Sequence, residues 1–366
     1  MNNTLRELIR ISNTVGRNAA LVLGAFGNTS LKTADGRFMV IKASGTCLKD
    51  MNTRSGWRKL NVDEVKGILE HPSRKDANAA LLSACCDKKP ASVRPSIESF
   101  FHAILDACVI HLHPESVLAL ACAKDGKKHM EKLFSKKKNP PLWIPYVGLG
   151  YVSAQKIRSL AGRYEKTCGQ RPRVFIMQNH GLLVSAPTSA AAMRLVRQVV
   201  GTCQKNLPHL KPVKIKPAGA KAVRGAAEDI RMAISGVSQH EMAVSCFNDK
   251  TIAAFLKLPN AKQLCSGGPI TNDEAAITGS APMWLETTEP KALRRKLQRL
   301  AEKDKHPPKG FAVKGVGLFI ASENNDADFL ADLLRSAMNI RAVASKLGGP
   351  RAIPKKLLAL YAEPLQ

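Results

Sequence analysis

The stretch Ala107-Cys108-Val109-Ile110-His111-Leu112-His113 decides how the chain is read, together with Val174-Phe175-Ile176-Met177-Gln178-Asn179-His180-Gly181 further on. Each is an apolar run that ends in histidine. On a β-strand, residues i and i+2 point to the same face. The spacing therefore predicts His111 and His113 side by side at the end of one strand, with His180 closing a neighbouring strand. Three imidazoles so placed can grip one cation and leave a coordination position open, which suits a catalytic zinc better than a structural one. Imidazole also suits iron, nickel or copper; zinc is the expected ion. His71, His102, His129, His209, His240 and His306 lack this pairing and read as ordinary core or surface histidines.

Upstream of the first run, Pro95-Ser96-Ile97-Glu98 opens a predicted helix that extends to about Asp106, with Ser96 as N-cap. Glu98 on its first turn is a candidate fourth ligand or a proton carrier, since partial burial tunes a carboxylate for proton transfer. It reads equally as a glutamate that complements the helix dipole. Two earlier loops, Gly27-Asn28-Thr29-Ser30 and Ser44-Gly45-Thr46, set glycine beside hydroxyl and amide side chains. Turns of that composition form anion-binding nests, or are simply turns.

The remainder of the chain alternates predicted helices and strands, which makes the class α/β or α+β. A helix with apolar Leu5, Leu8, Ile9, Ile11 and Val15 is followed by strand-like residues 21–23 and 38–43, and a helix over 61–69. Further helices are predicted over 118–130, 153–165 and 188–206. Residues 207–225 carry Pro208, Pro212 and Pro217 with several lysines and read as a linker. The expected organisation is thus a catalytic domain over 1–206, a linker over 207–225, and a smaller C-terminal α/β unit over 226–366. In that unit helices are predicted over 226–234, 249–258, 291–304 and 326–344, and strands over 275–278, 283–285 and, with a glycine turn, 314–321.

Length and composition agree with two or more domains: 366 residues, 45% apolar but only 5% aromatic, hence a mostly aliphatic core. The nine cysteines are odd in number, include the vicinal Cys85-Cys86, and form no disulfide framework; reduced, mostly buried thiols are expected. No apolar stretch reaches membrane-spanning length and the first residues lack a signal-peptide core, so a soluble, cytoplasmic protein is expected. The net charge of +27 attracts anions, and lies mainly in residues 124–138, 205–224 and 291–309. Few aromatics are interleaved and no nucleic-acid-binding motif stands out. Solvated lysine faces are expected, with no specific nucleic-acid partner.

Taken in order, Gly27-Asn28-Thr29-Ser30, Lys42-Ala43-Ser44-Gly45-Thr46, Pro95-Ser96-Ile97-Glu98 with His102, His111-Leu112-His113-Pro114 and Gln178-Asn179-His180-Gly181-Leu182 resemble the class II (metal-dependent) aldolase/adducin family over residues 5–205. The resemblance implies a central β-sheet flanked by helices and a divalent metal, Zn2+ by default, held by His111, His113, His180 and Glu98. Glu98 is then also the proton-transfer group, and Gly27, Asn28, Ser44, Gly45 and Ser96 take the substrate phosphate. The implied reaction is cleavage of a ketose 1-phosphate or similar sugar phosphate to dihydroxyacetone phosphate and an aldehyde through a metal-stabilised enediolate, in a homo-oligomer. Family epimerases and dehydratases, with tyrosines such as Tyr146 or Tyr151 at the rim, and non-catalytic adducin-like scaffolds remain open alternatives. The family often has a second serine where this chain has Ile97. Beyond residue 226, Gly268-Pro269-Ile270-Thr271-Asn272-Asp273 and Gly315-Val316-Gly317-Leu318-Phe319 resemble the aldolase half of the bifunctional rhamnulose-phosphate aldolase/alcohol dehydrogenases. Asn272 and Glu274 replace a proline and a histidine of that pattern. The chain ends at Gln366 without a G-x-G-x-x-G fingerprint, so no dehydrogenase half is expected.

Overall fold

The computed structural model describes residues 3–71, 77–211, 213–214, 218–238, 241–304, 307–323 and 325–361. His240 and His306 lie outside the described residues. The chain divides into two compact units, Met1–Ala121 with Lys127–Leu207, and Cys122–Gly126 with Pro208–Gln366.

In the first unit α1 (Asn3–Gly16) leads to β1 (Asn28–Lys32), β2 (Phe38–Lys42), β3 (Trp57–Asn61), α2 (Val62–Glu70), α3 (Ala77–Ser83) and α4 (Ser99–Ile104). Then follow β4 (Cys108–Leu112), α5 (Glu115–Ala121), α6 (Gly126–Phe134), β5 (Leu142–Ile144), α7 (Tyr151–Cys168), β6 (Val174–Met177), β7 (Gly181–Ala186) and α8 (Ser189–Asn206). The strands form one seven-stranded sheet in the order β3-β2-β1-β4-β7-β6-β5, antiparallel except where β5 meets β6. Alternation puts Met39, Ile41, Leu60, Val109, Phe175, Met177 and Leu183 on one face, packed with Val65, Phe100, Phe101 and Ile157 from α2, α4 and α7. α1, α5 and α8 also pack against strands of this sheet. β4 is a central strand, and all five of its residues are buried.

Local signals explain several boundaries. Asn61 accepts from the N–H groups of Asp63 and Glu64, an N-cap worth about 1 kcal/mol, and both acids lie where the helix dipole favours them. Thr188 caps α8 in the same way.

Some expectations fail. Residues 21–23 form no strand; Val22 is buried as a single residue beneath Gly27 rather than paired. Residues 118–130 make two helices, interrupted at residues 122–125. The predicted helix from Ser96 is shorter, beginning at Ser99 with Glu98 at the N-cap position, because the Ser96 carbonyl and hydroxyl are taken up in a tight turn with Ser99 and Glu98. The run ending at His180 is not a strand closed by histidine. It is β6, a turn, and then β7, whose continuation beyond Gly181 the apolar count missed.

The second unit holds α9 (Ala220–Ser235), β8 (Ala243–Phe247), α10 (Lys250–Leu256), α11 (Ala261–Cys265), α12 (Asn272–Ile277) and β9 (Met283–Leu285). It continues with α13 (Pro290–Asp304), β10 (Gly310–Val313), β11 (Gly317–Ser322), α14 (Ala327–Ala344) and α15 (Lys355–Leu358). Its four-stranded sheet runs β8-β11-β10-β9. Phe311, Val313, Phe319 and Ala321 face α9 and α13, while Ala312, Leu318 and Ile320 face α10, α11 and α14, so the sheet is buried on both faces. Helix therefore starts at residue 220, inside the stretch expected as linker. Residues 275–278, read as strand, belong to α12 and its C-cap: Thr271 caps this helix by accepting from Glu274 N–H, a signal that outweighs the short apolar run. Glu274 is fully buried and paired with buried Arg341 at 2.8 and 2.9 Å, and it also accepts from Ile270 N–H. The ion pair thereby ties the 268–271 loop to α14.

Candidate metal centre

β4 sits between β1 and β7, with His111 opposite Asn28 on one side and Leu183 on the other. His111 shares a face with Val109 and turns toward α4, where Phe101 meets its ring edge-on at 5.8 Å. His113 lies just past the strand, its N–H donating to Leu21 C=O at 3.0 Å. His180 is set by a turn in which its own N–H bonds to Met177 C=O at 3.1 Å. Asn179 in that turn has φ 56°, a left-handed conformation that asparagine tolerates better than most residues. Gly181 follows because nothing larger fits: a Cβ there would lie 2.5 Å from Leu112 O and 2.7 Å from the His113 ring. Gly181→Ala should therefore displace His113 and weaken divalent-metal binding by about 10-fold or more, read by chelator competition; unchanged affinity would show that this close approach is not needed.

These elements bring the three rings together. His111 Nε2 is 3.1 Å from His180 Nε2 and 3.0 Å from His113 Nε2, and the three ligand atoms all lie within 4.8 Å of one another. His111 Nδ1 is 3.0 Å from Leu182 O. A carbonyl only accepts, so Nδ1 carries the hydrogen and Nε2 presents its lone pair to the other rings. That is how a ligand histidine is oriented by its outer partner. Four nitrogens about 2.05 Å from a zinc ion in a tetrahedron stand about 3.3 Å apart. The two spacings from His111 Nε2 are close to that, and the donor set suits a small divalent cation.

Glu98 completes the cluster. Its Oε1 lies 3.0 Å from His180 Nε2 and its Oε2 lies 3.5 Å from His111 Nε2. It is 6% exposed, and His111 is 0% exposed. Burial opposes ionisation of Glu98, but His111 and His180 and the hydrogen bonds from His180 and Asn28 outweigh it and hold the carboxyl well below its usual range. Burial likewise pushes His111 well below the ordinary imidazole value, against the pull of Glu98. The cluster thus combines a carboxylate with a neutral, lone-pair-presenting ring.

The predicted anion-binding segments are linked to this cluster. Asn28 Nδ2 donates to Glu98 Oε2 at 2.6 Å and to Ser96 Oγ at 3.1 Å. Ser96 also accepts from Glu98 N–H. Gly27 has φ 63°, and a Cβ there would meet His111 O at 2.7 Å, so β1 can approach β4 only with glycine at this point. Ser44 and Gly45 are exposed in the neighbouring loop, which is joined to the Ser96 turn by Ser44 N–H to Arg94 C=O and Ser96 N–H to Lys42 C=O. Ile97, by contrast, lies beside Gly150, where an added Cβ would come within 3.0 Å of the Ile97 carbonyl oxygen. The Tyr151 hydroxyl donates to His71 C=O at 2.6 Å, so it secures α2 to α7 and does not point at the cluster from its own chain.

Three further residues, present in the quoted motifs, carry no role of their own in the sequence analysis. Lys42 is buried and its ammonium donates to Ala25 C=O and to Thr46 C=O, bracing the two glycine loops from beneath. His102 and Ser30 join Asn28 in a buried chain of hydrogen bonds. The available signal was spacing. Asn28, Ser30 and Lys32 share one face of β1, and His102 lies four residues after Glu98, along the same side of a helix. β1 runs along α4, with Lys32 donating to the Ala103 and Leu105 carbonyls at the far end.

The titration of His102 gives a test on stability. Burial, reinforced by Lys32 and opposed by Glu98, pushes it down to about 3. The unfolded ring binds a proton near ~6.5 and the folded ring does not, so stability falls as pH drops below ~6.5, by about 1.4 kcal/mol per pH unit from this group. Glu98 adds a further loss once the pH falls below ~4.3, where the unfolded carboxyl protonates and the folded one does not. In metal-free protein the melting temperature should decline steeply between pH 6.5 and 5, and His102→Gln should flatten the slope by about one proton. An identical slope in that variant would contradict the assignment.

In this mixed α/β unit the central strand and a hairpin turn thus converge three histidines beside a buried carboxylate, a donor set of the kind that could hold a metal ion. Comparison with known families is decisive on kinship: the family described as Class II Aldolase and Adducin N-terminal domain matches residues 6–207, and the chain belongs to it. It is 23% identical over 300 residues to the Bacillus subtilis (strain 168) protein called uncharacterized oxidoreductase YuxG, covering 77% of this chain and 42% of that one. The chain thus spans less than half the length of that relative. Among solved structures, it is similar to the N-terminal class II aldolase domain of a conserved protein from Thermoplasma acidophilum, with TM-score 0.47, 22% identity, and 56% and 94% of the two chains covered. An L-fuculose 1-phosphate aldolase matches with TM-score 0.40, 17% identity, and 56% and 85% coverage.

Proposed function

We propose that the chain is a zinc-dependent lyase that cleaves a ketose 1-phosphate or a similar sugar phosphate to dihydroxyacetone phosphate and an aldehyde. The observation that carries this reading is the convergence of His111, His113 and His180 with ionised Glu98 Oε1 3.0 Å from His180 Nε2. His111, His113 and His180 would hold the ion, with Glu98 as fourth ligand. Bound there, a divalent cation acts as a Lewis acid on the substrate carbonyl and adjacent hydroxyl, favouring the enediolate charge.

Glu98 moves the proton. In the condensation direction it starts as carboxylate and takes the proton from the carbon beside the carbonyl; in cleavage it returns that proton to the same carbon. Asn28 holds the other carboxylate oxygen. Gly27, Asn28, Ser44, Gly45 and Ser96 would receive the phosphate through backbone N–H groups and hydroxyls. Ser96 Oγ accepts from Asn28 and Glu98 N–H, which leaves its own hydrogen to give. The Lys42 ammonium adds positive charge beneath both loops. A homo-oligomer is part of this reading.

Product analysis with zinc-loaded protein on ketopentose and ketohexose 1-phosphates tests it. Dihydroxyacetone phosphate and an aldehyde are expected. An epimerised or dehydrated product would assign the site to those chemistries instead, and stoichiometric metal without turnover would favour a non-catalytic scaffold.

A further inference from the structure

Glu98 has two oxygens, Oε1 against His180 and Oε2 on the His111 side, and what holds them that way round lies outside the cluster. An ionised carboxylate cannot donate, so Oε2 at 2.6 Å from Asn28 Nδ2 is an acceptor. That fixes the Asn28 amide with its nitrogen toward Glu98 and Ser96, and its oxygen on the opposite side. Asn28 Oδ1 lies 2.5 Å from His102 Nε2. An amide oxygen only accepts, so Nε2 carries the ring hydrogen. A neutral ring then has a lone pair on Nδ1, and the Ser30 hydroxyl at 2.6 Å must donate to it.

The hydrogen bonds run one way, from Ser30 to His102 to Asn28 to Glu98. Turning the Asn28 amide over would set its oxygen against the carboxylate, and with His102 kept in its Nε2–H form would also set the amide NH2 against that N–H. Ser30 and His102 are 0% exposed and Asn28 is 4% exposed, so bulk solvent does not reach the chain to relieve a mismatched pair. His102 stacks on Phe101 with ring centroids 5.0 Å apart, which holds its plane.

We propose that His102 is a positioning residue of this site: as the Nε2–H tautomer it holds the Asn28 amide, which pins Oε2 of Glu98 on the His111 side and leaves Oε1 to His180. The inference rests on the reading of Glu98 as ligand and proton carrier. It also makes His102 functional where its sequence context suggested an ordinary core histidine.

Ring-nitrogen NMR on metal-free protein and zinc affinity by chelator competition test it together. His102→Phe keeps a planar ring but loses the donor; His102→Gln keeps a donor. The wild type should show His102 with protonated Nε2 and unprotonated Nδ1. His102→Phe should bind zinc about 10–100-fold more weakly, and His102→Gln should recover to within about threefold of wild type. A protonated Nδ1, or folded His102→Phe with wild-type affinity, overturns the proposal. Should His102→Phe not fold, the wild-type spectrum and the His102→Gln affinity decide: loss in His102→Gln as large as that expected for His102→Phe counts against positioning. Wild-type protein that binds no zinc contradicts the proposed function instead, and the tautomer then settles the hydrogen-bond chain by itself.

Discussion

Replacing His111 by alanine should cost the protein its bound zinc and lower sugar-phosphate cleavage by well over about 100-fold, the upper range seen when only an outer partner of a ligand is lost. His111 is the shared member of the triangle: its Nε2 is the atom that lies within 3.1 Å of both other rings. It is also fully buried beside Glu98, 3.5 Å away. Alanine removes a ligand and enlarges the cavity around a buried carboxylate. The variant should therefore be less stable without metal, and zinc should no longer raise its melting temperature as binding to the native state otherwise does. Metal analysis after desalting and thermal melts with and without zinc measure both effects. Stoichiometric zinc in His111→Ala, with undiminished cleavage, would sink the triangle as the metal centre.

Glu98→Gln should separate chemistry from metal binding. The amide fills the same volume but carries no charge and cannot take a proton. General acid–base groups contribute roughly 10²–10⁴ in rate, and a kcat loss of that order is expected with zinc still bound, though less tightly. The substitution also disturbs Asn28, whose Nδ2 at 2.6 Å would face an amide in place of a full acceptor. If Glu98 were only a residue that complements the α4 dipole, the change would cost a few tenths of a kcal/mol in stability and leave turnover intact. Steady-state kinetics beside metal content distinguishes the two.

What the residues disclosed follows the reach of each signal. The His-x-His spacing announced itself because a strand's period of two is short and rigid, and Val109 and His111 do share a face of β4. The fold class followed from the alternation of helices with strands along the chain, and the starts of α2 and α8 are local too, since Asn61 and Thr188 act through hydrogen bonds to nearby N–H groups. His180 was found for a partly mistaken reason. It sits in a turn whose geometry depends on left-handed Asn179, and the strand after it starts at a glycine. The hidden parts were contacts between residues far apart in the chain. Asn28 meets Glu98 across 70 positions; no local pattern shows that its amide is engaged by a glutamate and a histidine. α12 was misread as strand because its apolar residues are few, and the capping threonine carried more weight than their pattern.

The central claim is that ionised Glu98 and a histidine-held cation together labilise the proton beside a phosphorylated ketone's carbonyl. Dihydroxyacetone phosphate alone, incubated with zinc-loaded protein in D2O and followed by proton NMR, tests this without knowledge of the aldehyde. The account predicts stereospecific exchange of one hydrogen at the hydroxymethyl carbon, abolished by a chelator and reduced about 10²-fold or more in Glu98→Gln. Exchange no faster with the wild type than with zinc-loaded Glu98→Gln would contradict it.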